Sequence, residues 1–387
     1  MIEVFIAFLI LYLKYRERLW EFNYERLNVY LLGRESRYGI IRWGLIQTGL
    51  IMAAVCFYVT PSSHCTFMGR HYAQLAADPF GFDPSNPVPH RILTSLISYA
   101  IGLRGQLIIV TNLLIAAALI FALYRYFRTI DLQPADGFMA AAFIAFSTVT
   151  LNTVYYGGYN DSLTFLLIFL MWAFRRKRVL FHVLFLLGLF NRESAVFLIP
   201  WFAFISFEGE ISVTKRSVEL LIGFVLSLAI YALFRAWIAQ HEAIEYSMPY
   251  YLRGLIENPV ELLRTHFENL WVGAFAVFKL AWVLPLAAAI AMWREGNRKG
   301  VISMLLLVLC SAAQLLVAFD TTRLLAMSFM IIPISLIYLV RTDAFESRRW
   351  VVPLFVCNLL VPNLMVAGSR IDQMQSLLAY SIWCLMH

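Results

Sequence analysis

The feature that most constrains this chain is a series of long apolar runs, each near the length of a membrane crossing. A helix that spans the hydrocarbon core needs about 20 mostly apolar residues. Residues 43–60, 105–124, 137–154, 158–174, 217–238, 271–292, 301–318, 324–340 and 350–367 fit that requirement or come close. Two shorter runs, 179–190 and 195–206, flank Asn191-Arg192-Glu193-Ser194, and 91–103 is shorter than a crossing. Only 14% of the 387 residues are charged and mean hydropathy is +0.72. That leaves too few polar groups to coat a water-soluble surface, where about 25% charged residues is usual. A soluble cytosolic enzyme is excluded. The sequence predicts an all-α polytopic membrane bundle of about eleven transmembrane helices.

Cytoplasmic loops carry the excess of Lys and Arg. With the N-terminus inside, most of the 31 basic residues fall on the inner side, including Arg175-Arg176-Lys177-Arg178, Arg298-Lys299 and Arg348-Arg349. The net charge of +7 therefore reads as topology and attraction to anionic membrane lipids. It does not indicate nucleic acid as a partner. Taking 179–206 as one span would move Lys215, Arg216, Arg294, Arg298, Lys299, Arg341, Arg348 and Arg349 outside. A hairpin of two short helices keeps them inside, so a hairpin is expected there. The C-terminus is then extracytoplasmic.

Met1 to Leu13 is apolar but too short to span, and lacks the flanks of a removable signal peptide. Residues 1–42 are expected to form a cytoplasmic or interfacial segment, amphipathic over 14–42. Residues 43–387 then form a single transmembrane domain whose first extracytoplasmic loop is 61–104.

The unusual polar residues fall on the expected outer side. The loop 61–90 holds Arg70, His71, Asp78, Asp83 and His90, with Arg91 next in the chain. Pro79, Pro84, Pro87 and Pro89 forbid a continuous helix and imply a shaped loop. The run 91–100 is expected to be an amphipathic interfacial helix. A second outer turn reads Tyr155-Tyr156-Gly157-Gly158-Tyr159-Asn160-Asp161. Asp161 is either a helix N-cap or a functional carboxylate at membrane depth. The glycines there would let a substrate approach the backbone, and the tyrosines can stack on sugar rings. Arg192 and Glu193 at the hairpin tip either neutralise each other or leave Arg192 to hold an anionic head group. Asn258-Pro259-Val260-Glu261 reads as the start of an interfacial helix, and Asp320 with Arg323 as a local pair.

His64, Cys65, His71 and His90 lack any recognised zinc-ligand spacing. No cofactor is demanded, although nearby carboxylates would accommodate a divalent cation. Cys65 and Cys384 would share the outer side, which leaves a disulfide between them open. No phosphate-binding glycine loop, dinucleotide fingerprint, nucleophile elbow or HExxH motif occurs.

Over residues 43–206 the chain resembles the GT-C superfamily of polytopic glycosyltransferases. Three segments carry the resemblance: the polar loop running into DPFGFDPSNPVPHRILTSLISYAIGL, the acidic turn and basic inner loop of YYGGYNDSLTFLLIFLMWAFRRKR, and the helix–Asn-Arg–helix–Pro segment VLFHVLFLLGLFNRESAVFLIPW. The resemblance implies transfer of a sugar from a polyprenyl-phosphate donor to a glycan, lipid or protein acceptor on the extracytoplasmic face of the cell membrane. Family members usually carry an acidic residue soon after the first span, whereas here Asp78 is the first Asp or Glu of the loop.

Asp78, Asp161 or Asp83 is therefore the expected catalytic base. Arg91, His90, Arg192, Glu193, Tyr159, Asn160, Arg70 and His71 are the expected substrate-binding residues. No metal-binding residue is assigned. A flippase or transporter for lipid-linked saccharides, a polysaccharide polymerase or ligase, and a membrane scaffold are the competing classes. The transferase mechanism requires Asp78, Asp161 and Arg192 to line one pocket.

Overall fold

A computed structural model describes residues 24–81, 83, 86–207, 213–240, 260, 264, 267–318 and 320–375, with side chains omitted over 213–216. The first expected segment is thus described from Tyr24 onward. The Asn258 helix start lies almost wholly outside the described residues, as does Cys384; Cys65 itself is a free thiol.

Helix α1 (Tyr24–Tyr38) buries Tyr24, Leu31 and Glu35 on one face, and α2 (Ile40–Tyr58) follows after Gly39. Beyond the first loop come α3 (Met68–Ala77) and α4 (Leu93–Ala100). The bundle continues with α5 (Ile108–Thr129), α6 (Pro134–Ala145), α7 (Thr148–Tyr155), α8 (Asp161–Ala173), α9 (Arg178–Asn191) and α10 (Ile199–Ser206). Its second half holds α11 (Val213–Ile238), α12 (Leu270–Phe278), α13 (Val283–Arg294), α14 (Arg298–Ala313), α15 (Thr321–Leu325), α16 (Ile331–Thr342) and α17 (Ser347–Leu360). The chain then forms an antiparallel hairpin of β1 (Leu364–Ala367) and β2 (Arg370–Gln373).

Among the described residues six helices are long and apolar enough to cross a membrane, or seven if the pair α6 and α7, bent by 49°, counts as one span. The fold is that of a polytopic helical membrane protein, with fewer full-length crossings than the eleven expected. Helices α8 and α9 and the segment Glu193–Ser206 are apolar but have only 10–17 residues each. At 1.5 Å per residue such helices fall short of a hydrocarbon core about 30 Å thick. Hydropathy alone cannot separate a short buried helix from a crossing.

Three expectations are refined. The span expected at 350–367 stops at Leu360, and the mostly helical fold carries one two-stranded β-hairpin that the all-α expectation did not include. Pro362 cannot continue a helix, and Gly368 supplies a left-handed turn residue at φ +58° between the strands. Helix α4 is amphipathic in the inverse sense to a surface helix: Thr94, Ser95 and Ser98 are the residues it buries.

The hairpin expected over 179–206 is present. Phe181, near the start of α9, meets Phe202, midway along α10, with ring centroids 5.6 Å apart. The chain therefore reverses around Arg192, whose backbone is extended (φ −160°, ψ 114°).

Depth within the bundle differs between helices. In the apolar window of Thr321–Thr342, 83% of residues are buried, against 17% for Ser217–Ile238. The first is the central helix, packed on α6 and α13, and the second presents Leu221, Val225, Leu233 and Trp237 outward. One end of the bundle is tied by Arg128, whose Nε and Nη2 both donate to Glu35 at 3.0 Å, with Tyr124 on the same carboxylate. The opposite end carries the first loop, the 156–160 turn and the β-hairpin.

Candidate functional site

The site is assembled from loops that close on one another through backbone contact. Ser62 N donates to Val154 O at 3.0 Å, and Thr66 N to Gly157 O at 3.1 Å. A Cβ added at Gly157 would stand 2.5 Å from the His64 carbonyl oxygen. Glycine at 157 thus serves the approach of the first loop, which occupies the place expected for a substrate.

Behind this seam lies a buried ionic cluster drawn from four chain segments. Asp161, the first residue of α8, is 1% exposed. Its Oδ2 accepts from Arg323 Nε at 2.7 Å, its Oδ1 from Arg323 Nη2 at 3.2 Å, and Oδ1 also pairs with Arg192 Nη1. Arg323 Nη1 continues to Asp320 Oδ2 at 2.6 Å, and its guanidinium lies 4.1 Å from the Tyr159 ring centroid. Arg91 grips Glu193 with both arms of its fork, Nε to Oε2 at 2.9 Å and Nη2 to Oε1 at 2.5 Å, and Nη1 donates to Tyr72 Oη at 3.2 Å. His90 Nε2 stands 3.7 Å from the same carboxylate. Burial works against the Arg91 charge, but the Glu193 carboxylate more than restores it and holds its pKa well above the ordinary value.

Three carboxylates thus meet three guanidiniums. Bidentate pairing is what makes burial of such charges tolerable. Arg192 and Glu193 do not neutralise each other, since each pairs with a different loop. Asp161 is not a helix cap either. Asn160 occupies the cap position and donates Nδ2 to Asn191 O at 2.7 Å, while Asn191 Nδ2 returns a bond to Asn160 O at 2.9 Å. This reciprocal pair, with Thr94 Oγ1 donating to Asn191 Oδ1 at 2.6 Å, zips the acidic turn to the hairpin tip.

The remaining expected residues lie apart from the cluster. Asp78 is exposed, and its Oδ1 accepts from the amides of Phe80 at 3.3 Å and Gly81 at 3.0 Å, a turn of its own loop. Asp83 is exposed, with its carbonyl accepting from Asn86 N at 2.9 Å. Arg70 is exposed on α3, and the His71 ring lies 3.3 Å from Gln74 Oε1. Among the described residues Asp161 and Arg192 are sealed in ion pairs and Asp78 is turned onto its own loop, so the three do not share an open face. Long prolines-and-glycine loops fold onto themselves before they reach a distant helix, which is why spacing along the chain misplaced Asp78.

An open cavity of about 450 Å³ lies beside the cluster. One wall is the start of the first loop, with Ser62, Ser63 and His64; a second is Tyr155 and Tyr156; the third is the β-hairpin, with Arg370 and Asp372. Asp372 is the carboxylate there, its Oδ1 accepting from Arg370 Nε at 2.9 Å. Burial, and then the negative charge of Asp372, raise the Tyr156 phenol above its ordinary pKa, so that it remains a proton donor. Cavity and cluster are joined through the edge contact of Tyr156 with Tyr159, centroids 5.9 Å apart. Arg370 and Asp372 were missed at the sequence level because they follow a run read as a span; the Gly368-Ser369 turn signal was the available clue. Among the described residues no three His, Cys, Asp or Glu side chains converge as a metal site would require.

Comparison of the chain with protein-family models and with curated proteins gives no match.

Proposed function

We propose that the protein is a membrane glycosyltransferase that moves a sugar from a polyprenyl-phosphate donor to an acceptor hydroxyl at the extracytoplasmic face. The observation that carries this reading is the open cavity lined by a carboxylate, an imidazole, a guanidinium and two tyrosines at the end of a membrane bundle. Sugars are bound by aromatic faces and by planar charged groups that accept and donate hydrogen bonds, and the cavity offers both. The resemblance to GT-C enzymes over 43–206 supports the same class.

Asp161 is buried with both oxygens accepting from guanidiniums, whereas Asp372, though paired with Arg370, is open to the cavity, so we place the general base at Asp372. Asp372 takes the proton of the acceptor hydroxyl as its oxygen bonds to the sugar's anomeric carbon. The bond from that carbon to the lipid phosphate oxygen breaks, and its electron pair leaves on the phosphate. Arg370 and His64 meet the charge that develops there. Arg91, Arg192, Glu193, His90 and Asn160 act behind the cavity by holding the loops that form it.

The test is transfer of radiolabelled sugar from a panel of polyprenyl-phosphate donors by the purified chain in lipid nanodiscs. Transfer from at least one donor is expected, and failure with all of them would reject the transferase. The interrupted helices at 146–147 and 279–282 favour, as a second reading, a carrier of lipid-linked saccharides. A carrier would retain its transport after Asp372→Asn, whereas the transferase would lose its activity.

A further inference from the structure

The span Leu270–Arg294 is broken at a lysine. Lys279 has φ +53°, a conformation that L-residues rarely adopt, and begins a 3-10 turn ending at Trp282. Broken helices persist at membrane depth only where neighbours satisfy the freed backbone groups. Here the Ala281 amide donates to Asn358 Oδ1 at 3.0 Å.

The Lys279 side chain is 1% exposed. An ionisable group in such a place is a functional candidate by default. An ammonium has three protons to donate. Nζ finds three oxygens, Asn363 Oδ1 at 2.8 Å, Tyr58 Oη at 3.2 Å and Val361 O at 3.3 Å. None of these acceptors is a carboxylate, so ion pairing does not account for the lysine. The bonds instead join two segments that are about 300 residues apart in the chain, a separation matched by the Tyr58 Oη bond to Leu359 O at 2.6 Å.

Those segments are the roots of two cavity walls. Tyr58 ends α2, two residues before Thr60, where the first wall begins. Asn363 immediately precedes β1, and its carbonyl accepts from Met374 N at 2.9 Å, closing the base of the β-hairpin that bears Asp372. Thr60 N donates to Gln375 O at 3.1 Å, so the walls touch one step above the lysine.

Resting on the assignment of the cavity as the reaction site, we propose that Lys279 is a positioning residue: its three-pronged ammonium clamps the first loop and the C-terminal hairpin at the separation that lets His64 and Asp372 face the same substrate. A methionine of similar length fills the space but cannot bridge.

Hydrogen-exchange mass spectrometry on the full chain in nanodiscs tests the clamp without requiring activity. In Lys279→Met, amides in 60–66 and 364–373 should exchange at least tenfold faster than in wild type, with α16 unchanged. Tyr58→Phe should loosen 60–66 alone, and Asn363→Ala should loosen 364–373 alone. A merely stabilising lysine would raise exchange throughout the bundle, and that outcome, or unchanged exchange in all three variants, overturns the proposal. In the transfer assay Lys279→Met should lower kcat at least tenfold with KM within about threefold. If wild type transfers no sugar yet the wall-specific pattern appears, the clamp stands and the transferase falls; transfer with unaltered exchange in the variants means the reverse.

Discussion

Two Asp–Arg pairs sit near each other at one end of this bundle and differ in what surrounds them. Asp161 and Arg323 are 2% and 6% exposed at their side chains, and a second guanidinium completes the carboxylate. Asp372 and Arg370 are 35% and 63% exposed and line an open cavity. A sealed pair is shut off from any ligand by its burial, and it ties together the loops that carry its members. An open pair costs little to separate and exposes its groups to whatever enters. Burial, rather than residue type, divides the sealed pair from the open one.

The sharpest way to break the comparison is to remove the sealed carboxylate. Asp161→Ala leaves Arg192 and Arg323 buried without it, and loss of one partner of a buried pair costs about 3–5 kcal/mol. A drop of that size in thermal unfolding measured in detergent is expected, with activity falling in step with folded protein. Asp372→Asn should do the opposite. General-base loss should slow sugar transfer by about 10²–10⁴, while an exposed pair changes stability by less than about 1 kcal/mol. Transfer rates and unfolding temperatures on the same preparation check both halves.

Smaller effects test the seam and the first loop. Gly157→Ala would push the first loop off the acidic turn, a packing cost of about 1–3 kcal/mol, read as a lower unfolding temperature and a raised KM. Asp78→Ala removes a turn bond on an exposed loop and should cost less than about 1 kcal/mol, with kcat within about threefold of wild type. A loss of transfer in that variant comparable to that of Asp372→Asn would move the base back to the first loop.

Much of this was legible beforehand, for reasons that differ by residue. The reversal at Arg192 followed from where the basic residues collect, because inner-loop charge is a property of the linear chain. The polar character of the loop 61–90 and the acidic turn was also plain. The partners were not: Arg91 reaches Glu193 across 102 positions, and Arg323 reaches Asp161 across 162. Asp320 beside Arg323 was visible as a local pair because three residues bring side chains together on a helix. Nothing local signals that Arg323 has a second and more deeply buried carboxylate. Lys279 was equally silent, since a single lysine in an apolar run carries no mark of what it touches.

What the linear order of residues determined by itself is that this chain partitions into a membrane as many helices, for transfer of apolar surface out of water depends on composition along short windows. Only the tertiary structure decided which helices are long enough to cross, that the chain ends its described part in a β-hairpin, and which charges are neutralised and which stay open. Those outcomes depend on contacts between segments far apart in the chain, where a few ångströms separate a sealed ion pair from an open one.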